Sequence, residues 1–307
     1  MMQVMLLLPQ ARRLLVGYPE LLAVLAAAVL GLALQPPLAW AAGHQGINIL
    51  LAVLVFATAV TIEPTALRRL TAAWPRLLTA LAAEVIVLPA LSWLVSQFVA
   101  AGSLRDGIMT IGLAPCEIAS VATTAMAGGE AALSAGVLIG STVITVAAAG
   151  PILALEAGQG SIHPGRIIAN LALIVGLPLA AGLALRARTG LTAGTERAAS
   201  TTAVVAVAAL VALIAAEVHL SARYLVVALA LLVFLAGSAL TGWLLSVGIA
   251  RPAATSMLLT TSMRDFAIAA GLAAAAFGTA AAAPLGLYGI LVLVWGTAVA
   301  GFLRRRH

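Results

Sequence analysis

Apolar stretches recur along nearly the whole chain, separated by short breaks rich in proline, glycine or charged residues. A helix of about 20 apolar residues is long enough to cross the hydrocarbon core of a bilayer. The breaks predict ten such spans, at residues 19–35, 46–62, 76–98, 107–127, 131–155, 166–185, 198–216, 222–248, 253–277 and 283–303. The pattern therefore predicts an all-α polytopic membrane protein.

The composition supports this interpretation. Hydrophobic residues make up 63% of the 307 residues and charged residues only 8%, whereas a soluble domain carries about 25% charged residues. So little charge leaves no room for a separate aqueous domain. The net charge of +6 does not indicate nucleic-acid binding, because no basic face and no interleaving of basic and aromatic residues accompanies it.

The arginines predict the orientation of the spans. With the N-terminus placed inside, twelve arginines fall on the cytoplasmic side and three on the outer side, as the positive-inside rule requires. The inner set is Arg12, Arg13, Arg68, Arg69, Arg76, Arg186, Arg188, Arg197, Arg251, Arg304, Arg305 and Arg306; the outer set is Arg105, Arg166 and Arg223. We therefore expect an even number of spans with both termini cytoplasmic. All sixteen basic residues are arginine, which together with alanine-rich helices suggests a bacterial inner-membrane protein.

Four ionisable residues lie inside spans that are otherwise apolar: Glu84, Glu117, Arg264 and Asp265. A charge at the centre of a bilayer costs about 2.5–3.5 kcal/mol on insertion scales. Such residues are normally kept because they bind an ion, carry a proton or contact a substrate. They favour a transporter over a membrane scaffold.

The two halves of the chain share a plan. The fourth span carries a polar break at residues 114–117, and the ninth carries one at residues 260–265. Each half holds five spans, so the halves must insert with opposite topology, as in transporters built from inverted repeats with broken helices. We expect a first repeat at residues 1–155 (spans 1–5) and a second at 156–307 (spans 6–10).

A simpler explanation of the two breaks stays open at this point. Pro115 alone can kink a helix. Arg264 and Asp265 can lie at a loop edge, with the arginine reaching toward water.

Four short stretches carry a resemblance to a known family. Leu113–Ser120 resembles the broken fourth helix of the bile acid:sodium symporter family, and Ser262–Ala267 resembles its broken ninth helix. Glu84 with the following Val87-Leu88-Pro89, and Val175–Pro178, are similar to its third and sixth helices. The order and spacing of these stretches are those of a bacterial homologue of the apical sodium-dependent bile acid transporter type.

This resemblance implies a detailed architecture. Spans 1, 2, 6 and 7 are expected to form a panel, and spans 3, 4, 5, 8, 9 and 10 a core in which the broken fourth and ninth helices cross at the midplane. The substrates of the family are mostly organic anions, such as bile acids and other carboxylates. Two sodium ions are expected behind the crossing.

The residues at the implied sodium positions depart from the family pattern. These positions are Glu84, Ser120, Ser134, Thr260, Thr261, Met263 and Arg264. In the first site Val121 and Leu138 replace an asparagine and a threonine, and Thr260 replaces a glutamate shared by both sites. In the second site Glu84 and Arg264 stand where the family has two glutamines. Sodium is a hard cation that prefers several oxygen ligands, so we expect a poor first site.

We therefore predict that Glu84 and Arg264 form an ion pair that replaces the second sodium, so that transport does not depend on that ion. The alternative is that the two side chains point elsewhere.

The carboxylates in the breaks suggest a different coupling ion. Glu117 and Asp265 lie on the two crossing helices, and two carboxylates close together in a low dielectric cannot both stay ionised cheaply. A proton shared between them is one hypothesis; the other is that Glu117 caps a half-helix inside a water-filled vestibule. Glu117, Ser120, Asp265, Arg264 and Cys116 are the expected contacts of substrate or coupling ion. Asp265 stands where the family has an asparagine, which leaves a neutral, zwitterionic or proton-accompanied anionic substrate open.

The function that these features favour is secondary active transport of a small organic solute by alternating access. A proton-coupled or uncoupled exporter of the same fold is the main alternative, and a channel is less favoured because no repeated pore motif occurs. An enzyme is not expected, since the histidines lie at span ends with spacings that fit no transition-metal site. The expected partners are the lipid bilayer and the solute, with Na⁺ or H⁺ as coupling ion, no other cofactor and no obligatory protein partner.

Overall fold

A computed structural model describes residues 19–62, 73–157, 162–189, 191–218 and 221–304. Regular structure within these ranges is helical, apart from one isolated antiparallel bridge between Cys116 and Arg264. The predicted loop arginines Arg12, Arg13, Arg68, Arg69, Arg305 and Arg306 fall outside the described residues.

Seven helical stretches among the described residues are long and apolar enough to cross a membrane. They are Gln35–Thr61, Trp74–Ser96, Ala131–Glu156, Pro164–Arg188, Ala193–Ala216, Arg223–Leu245 and Thr279–Arg304. Large apolar side chains such as Ile86, Leu155 and Leu225 are exposed on these helices, as expected of a surface that faces lipid. The prediction of an all-α membrane protein is confirmed.

The other three predicted spans have a different form. Helix α1 (Pro19–Ala33) is a single short helix. The fourth span is divided into α6 (Ser103–Ile111) and α7 (Ala119–Met126), and the ninth into α13 (Arg251–Ser262) and α14 (Phe266–Phe277). The total of ten spans and their inverted repetition stay predictions.

Three of the long stretches contain a π-helical segment. Trp74–Ser96 consists of α4 (Trp74–Ala82), a π-helical turn (Ala83–Val87) and α5 (Leu88–Ser96); Pro164–Arg188 likewise consists of α9 (Pro164–Leu171), a π-helical turn (Ala172–Gly176) and α10 (Leu177–Arg188). In Gln35–Thr61, α2 (Gln35–Ala41) and α3 (Ile47–Thr61) flank a π-helical segment (Ala42–Gly46) with non-helical backbone at His44 and Gln45.

Proline explains two of the π-helical turns. Pro89 and Pro178 each stand just after one, and a proline inside a helix lacks an N–H and clashes with the carbonyl four residues earlier. The chain responds with a wider turn: the N–H of Leu88 donates to the Ala83 carbonyl five residues back. Glu84 lies in this turn.

The remaining long helices are α8 (Ala131–Glu156), α11 (Ala193–Ala216), α12 (Arg223–Leu245) and α15 (Ala283–Arg304). Helix α11 packs against α1 and α3, and α10 packs against α3. A second group of helices includes α5, α6, α7, α8, α12 and α13. In it α12 packs against α13, α5 packs against α6, and α8 packs against both α7 and α13.

Small residues allow close approach where the first group packs. A side chain at Gly31 would meet Ala215, and one at Gly182 would meet Ala59. Such contacts are typical of membrane helices, which associate by van der Waals packing because lipid is as apolar as their own side chains.

Candidate functional site

The breaks in the two divided spans are hydrogen-bonded to each other. The peptide N–H of Glu117 donates to the Met263 carbonyl at 2.7 Å, and the peptide N–H of Asp265 donates to the Pro115 carbonyl at 2.9 Å. Helix ends leave backbone groups without partners, and an apolar interior has no water to satisfy them. Pairing one break with the other satisfies both. The predicted meeting of the two interrupted helices is confirmed.

Helix α8 supports the first break from behind. The Thr145 hydroxyl donates to the Leu113 carbonyl at 3.0 Å, and the peptide N–H of Cys116 donates to Ser141 Oγ at 3.3 Å. Pro115 has no N–H to donate and disfavours helical backbone in the residue before it. Pro115 therefore favours an interruption of the helix at this point, and the buried hydroxyls of Thr145 and Ser141 stabilise it by hydrogen bonds.

Arg264 is buried at the centre of the crossing. Its Nη1 lies 2.8 Å from Glu84 Oε1, and the exposed fractions of the two side chains are 1% and 3%. Its Nη2 donates to the Ala114 carbonyl. The predicted contact between Glu84 and Arg264 is confirmed, and the alternative in which they point elsewhere is wrong. Because both charges are removed from water, each depends on the other for compensation.

Asp265 and Glu117 lie at the N-termini of two half-helices. Asp265 is the N-cap of α14, and its Oδ1 accepts from the Ile268 N–H at 2.8 Å. Glu117 precedes α7. The peptide N–H groups of Ala119 in α7 and of Phe266 in α14 are within hydrogen-bonding reach of its carboxylate, and the negative charge of Asp265 lies nearby. Acidic groups are favoured at helix N-termini by the partial positive charge there.

One oxygen of each acid, Glu117 Oε2 and Asp265 Oδ2, is buried without a hydrogen-bond partner among the described residues. These two atoms are chemically unsatisfied in this conformation. Each of them can take up a proton.

The hydroxyls at the implied first sodium site have local partners. Ser134 Oγ donates to Thr124 Oγ1 at 3.1 Å, and Thr260 Oγ1 donates to the Ser256 carbonyl at 2.8 Å. Ser120 Oγ lies 3.8 Å from Cys116 Sγ.

Two of the implied sodium positions, Thr261 and Met263, lie in the break of the ninth predicted span, and the Thr261 hydroxyl and the Met263 carbonyl differ in whether they have a hydrogen-bond partner among the described residues. Thr261 Oγ1 is buried without a hydrogen-bond partner among the described residues. The Met263 carbonyl already accepts the Glu117 N–H.

Sequence reasoning missed Tyr288 and Trp295, both on α15. Tyr288 is fully buried and lies close enough to Arg264 and Glu117 to interact electrostatically with both. Trp295 Nε1 donates to Ser262 Oγ at 2.9 Å. The available signal was a polar atom in an otherwise apolar span, but nothing in the sequence says that α15 faces the breaks.

A cavity of about 450 Å³ lies between the two groups of helices. Its lining comes from α1, α3 and α11 on one side and from α7, α8, α14 and α15 on the other. Glu117 is the one ionisable side chain among the described residues that line it. The cavity extends to Thr61 and Ser200, at the end of the helices for which the arginines predict the cytoplasmic side.

Of the five expected ligand contacts, Glu117 therefore faces the cavity. Cys116, Ser120, Arg264 and Asp265 are buried behind it in this conformation.

A second crevice of about 560 Å³ lies at the opposite end of the same helices. It is polar, being lined by Asn48, Arg166 and Asn170 together with the end of α14. The two openings are thus at opposite ends of α3.

Residues 48–228, more than half of the chain, match the family described as "Sodium Bile acid symporter family". The matched region includes Glu84 and Glu117 but ends before Arg264 and Asp265. None of the curated proteins matches the chain. The chain is an integral membrane protein, and it belongs to the sodium bile acid symporter family, whose members are transporters.

Proposed function

We propose that the chain is a secondary active transporter that moves a small organic solute across a bacterial inner membrane by alternating access. The observation that carries the proposal is the junction of two broken helices, each contributing a buried acid, beside a cavity between two helix groups. In this proposal the chain has ten spans, in inverted repeats at residues 1–155 and 156–307. Broken helices at a repeat interface are how many transporters build a central site.

The two helix groups are proposed to move against each other. Helices α1, α2, α3, α9, α10 and α11 belong to the panel (spans 1, 2, 6 and 7), and the remaining helices to the core. A solute would enter or leave through the cavity between the groups on one side of the membrane and through the polar crevice on the other. The cavity at Ser200 corresponds to an inward-facing state if the arginines orient the chain as predicted.

Sodium does not fit the residues at its implied sites. In the second site the Arg264 guanidinium is in contact with Glu84, so a fixed positive charge stands where a cation is expected. In the first site Val121 and Leu138 line the apolar cavity and offer no side-chain oxygen. We propose that the Glu84–Arg264 pair replaces the second sodium and that transport is independent of the sodium gradient.

A proton is the coupling ion that the geometry supports better. Glu117 and Asp265 are close, and each has a buried oxygen without a hydrogen-bond partner among the described residues. The groups that face them are Arg264 from the second break, Tyr288 from α15 and the half-helix N-termini. We propose that this pair carries one proton per cycle; an uncoupled exporter is the remaining alternative.

Reconstituted protein tests the transport function. Proteoliposomes are given a defined mixture of carboxylates, amino acids, sterols and quaternary ammonium compounds, and their contents are measured by mass spectrometry. We expect at least one solute to accumulate beyond its outside concentration under a pH gradient, with no added effect of sodium. Equilibration without accumulation under any gradient would indicate a channel, and accumulation that scales with sodium would overturn the sodium-independent mechanism.

A further inference from the structure

The charge and shape of the cavity between the helix groups narrow the class of solute. We infer that this cavity binds a small organic cation, a compact apolar body with one positively charged nitrogen, with Glu117 as its counter-charge. The inference rests on the proposed transport function and replaces the expectation of an organic anion.

The lining of the cavity is apolar except at a few points. A volume of about 450 Å³ is within the range of small-molecule pockets, which are mostly apolar with a few polar groups that orient the ligand. Here the polar side chains are the hydroxyls of Thr58, Thr61 and Ser200 and the carboxylate of Glu117. No basic side chain lines the cavity within the described ranges. Among these described residues an anion would find no counter-charge.

Arg264 does not supply that counter-charge. It lies behind the cavity with 1% of its side chain exposed, in contact with Glu84 and bonded to the Ala114 carbonyl. Turning it toward a substrate would strip Glu84 of its partner and leave a buried charge uncompensated, which costs more than the new contact returns.

The half-helix N-termini are not open to an anion either. Peptide N–H groups at such ends are the usual backbone site for a carboxylate or phosphate. Here the N–H groups of Ala119 and Phe266 act on the Glu117 carboxylate, and Asp265 caps α14 by accepting from Ile268. The protein's own acids have taken the places that a substrate carboxylate would occupy.

Glu117 is directed at the ligand space. It is 6% exposed, it lines the cavity, and its Oε2 has no partner among the described residues. Glu84 is compensated by Arg264, so Glu117 and Asp265 together leave an excess of negative charge at the crossing. A positively charged nitrogen in the cavity would offset that charge, and a turn of the Glu117 side chain toward it would let the buried Oε2 accept a charge-assisted hydrogen bond.

The arginines near the mouth do not reverse this conclusion. Arg186 and Arg197 line a surface crevice that meets the cavity at Thr61 and Ser200, and Arg186 forms an ion pair with Glu196 at 2.6 Å. They lie outside the cavity itself. They belong to the side that the arginine bias predicts to be cytoplasmic.

Three probes of one shape test the inference: 1-adamantylamine, 1-adamantanol and 1-adamantanecarboxylate. Their binding to the purified full-length chain in detergent at pH 7 is measured by thermal shift and by titration calorimetry. A ligand that binds the native state raises the unfolding midpoint by mass action. We expect the amine to bind at least tenfold more tightly than the carboxylate, with the alcohol between them.

Variants locate the effect. Glu117→Gln should reduce the preference for the amine over the alcohol at least tenfold, whereas Glu130→Gln should leave it unchanged. Glu117→Asp keeps the charge and should keep the preference, which serves as the test if Glu117→Gln does not fold. Ala203→Phe fills part of the cavity and should weaken all three probes together.

Three results would overturn the inference: tighter binding of the carboxylate, an amine preference that survives in Glu117→Gln, or binding of none of the three probes. None of them bears on transport itself, because the proteoliposome assay with the solute mixture decides that question separately. A carboxylate that accumulates under a pH gradient would refute the cation site and leave the transporter intact.

Discussion

Arg264 Nη1 lies 2.8 Å from Glu84 Oε1 in a region where both side chains are almost fully buried. The pair joins the π-helical turn before Pro89 to the break of the ninth predicted span. Removing one partner of a buried ion pair leaves an uncompensated charge, whereas replacing both with neutral groups is often tolerated. That asymmetry makes the pair testable.

Glu84→Gln should therefore lower the free energy of unfolding by about 3–5 kcal/mol. The double variant Glu84→Gln, Arg264→Gln should lose clearly less of its free energy of unfolding, because no uncompensated charge remains. Chemical or thermal unfolding of the purified chain in detergent measures both. A double variant as unstable as the single one would mean that the pair does not act as a unit.

The same double variant tests the sodium hypothesis. The wild-type chain should unfold at the same temperature in sodium chloride and in choline chloride, because Arg264 fills the place of the cation. With two glutamines at these positions and Thr260→Glu added to restore the shared glutamate, sodium should raise the unfolding midpoint, since a bound ion at 100 times its dissociation constant stabilises by about 2.7 kcal/mol. A sodium-dependent midpoint in the wild type would contradict the hypothesis.

Glu117→Gln should abolish accumulation driven by a pH gradient, because the amide cannot take up a proton. Glu130 supplies a matched control: its backbone pairs with Ser256 and Pro252, and its side chain does not line the cavity. Transport by Glu130→Gln should respond to the pH gradient like the wild type. If Glu117→Gln keeps pH-driven accumulation, the proton is carried elsewhere.

Two substitutions separate the roles of Asp265. Asp265→Asn keeps a good N-cap for α14 and should change stability little, whereas Asp265→Ala removes the bond to Ile268 and should cost about 0.5–2 kcal/mol. Both remove the charge, so both should impair pH-driven transport. Unfolding curves and proteoliposome uptake on the same preparations distinguish the cap from the charge. Equal stability of the two variants would argue against the cap.

Gly289 tests the packing beside the second break. A side-chain carbon at this position would lie 2.8 Å from the Phe266 ring, whereas one at Gly301 on the same helix would meet nothing within 4 Å. Gly289→Ala should destabilise by about 1–3 kcal/mol through overpacking. Gly301→Ala should be neutral or slightly stabilising, because alanine is the better helix former. The unfolding midpoints of the pair check this contact, and equal midpoints would contradict it.

The spans were predictable because lipid imposes a simple rule on sequence. A helix that faces hydrocarbon must be apolar over its whole length, so the predicted ranges agree with most of the observed helices to within a few residues. The breaks were predictable for a related reason: Pro115 and the run of polar residues at 260–265 cannot lie in an apolar helix without cost. The pairing of Glu84 with Arg264 was predicted from the family resemblance, which places both residues at the implied second sodium site, and from their opposite charge.

The surroundings of those charges were not predictable. Tyr288 and Trp295 come from a helix whose facing side the sequence does not reveal. The resemblance places Ser134 at an implied sodium position, and its hydroxyl donates to Thr124, a contact that depends on how α7 and α8 pack.

The sequence by itself determined that this chain is an α-helical membrane protein with buried acids and one buried arginine, because the cost of placing polar groups in lipid leaves a clear mark on composition and spacing. The tertiary structure decided which of those groups lines the cavity. Arg264 turns to Glu84 and to the Ala114 carbonyl, while Glu117 faces the cavity. Which of several buried charges meets a partner and which meets open space depends on packing across helices, and no local pattern encodes it.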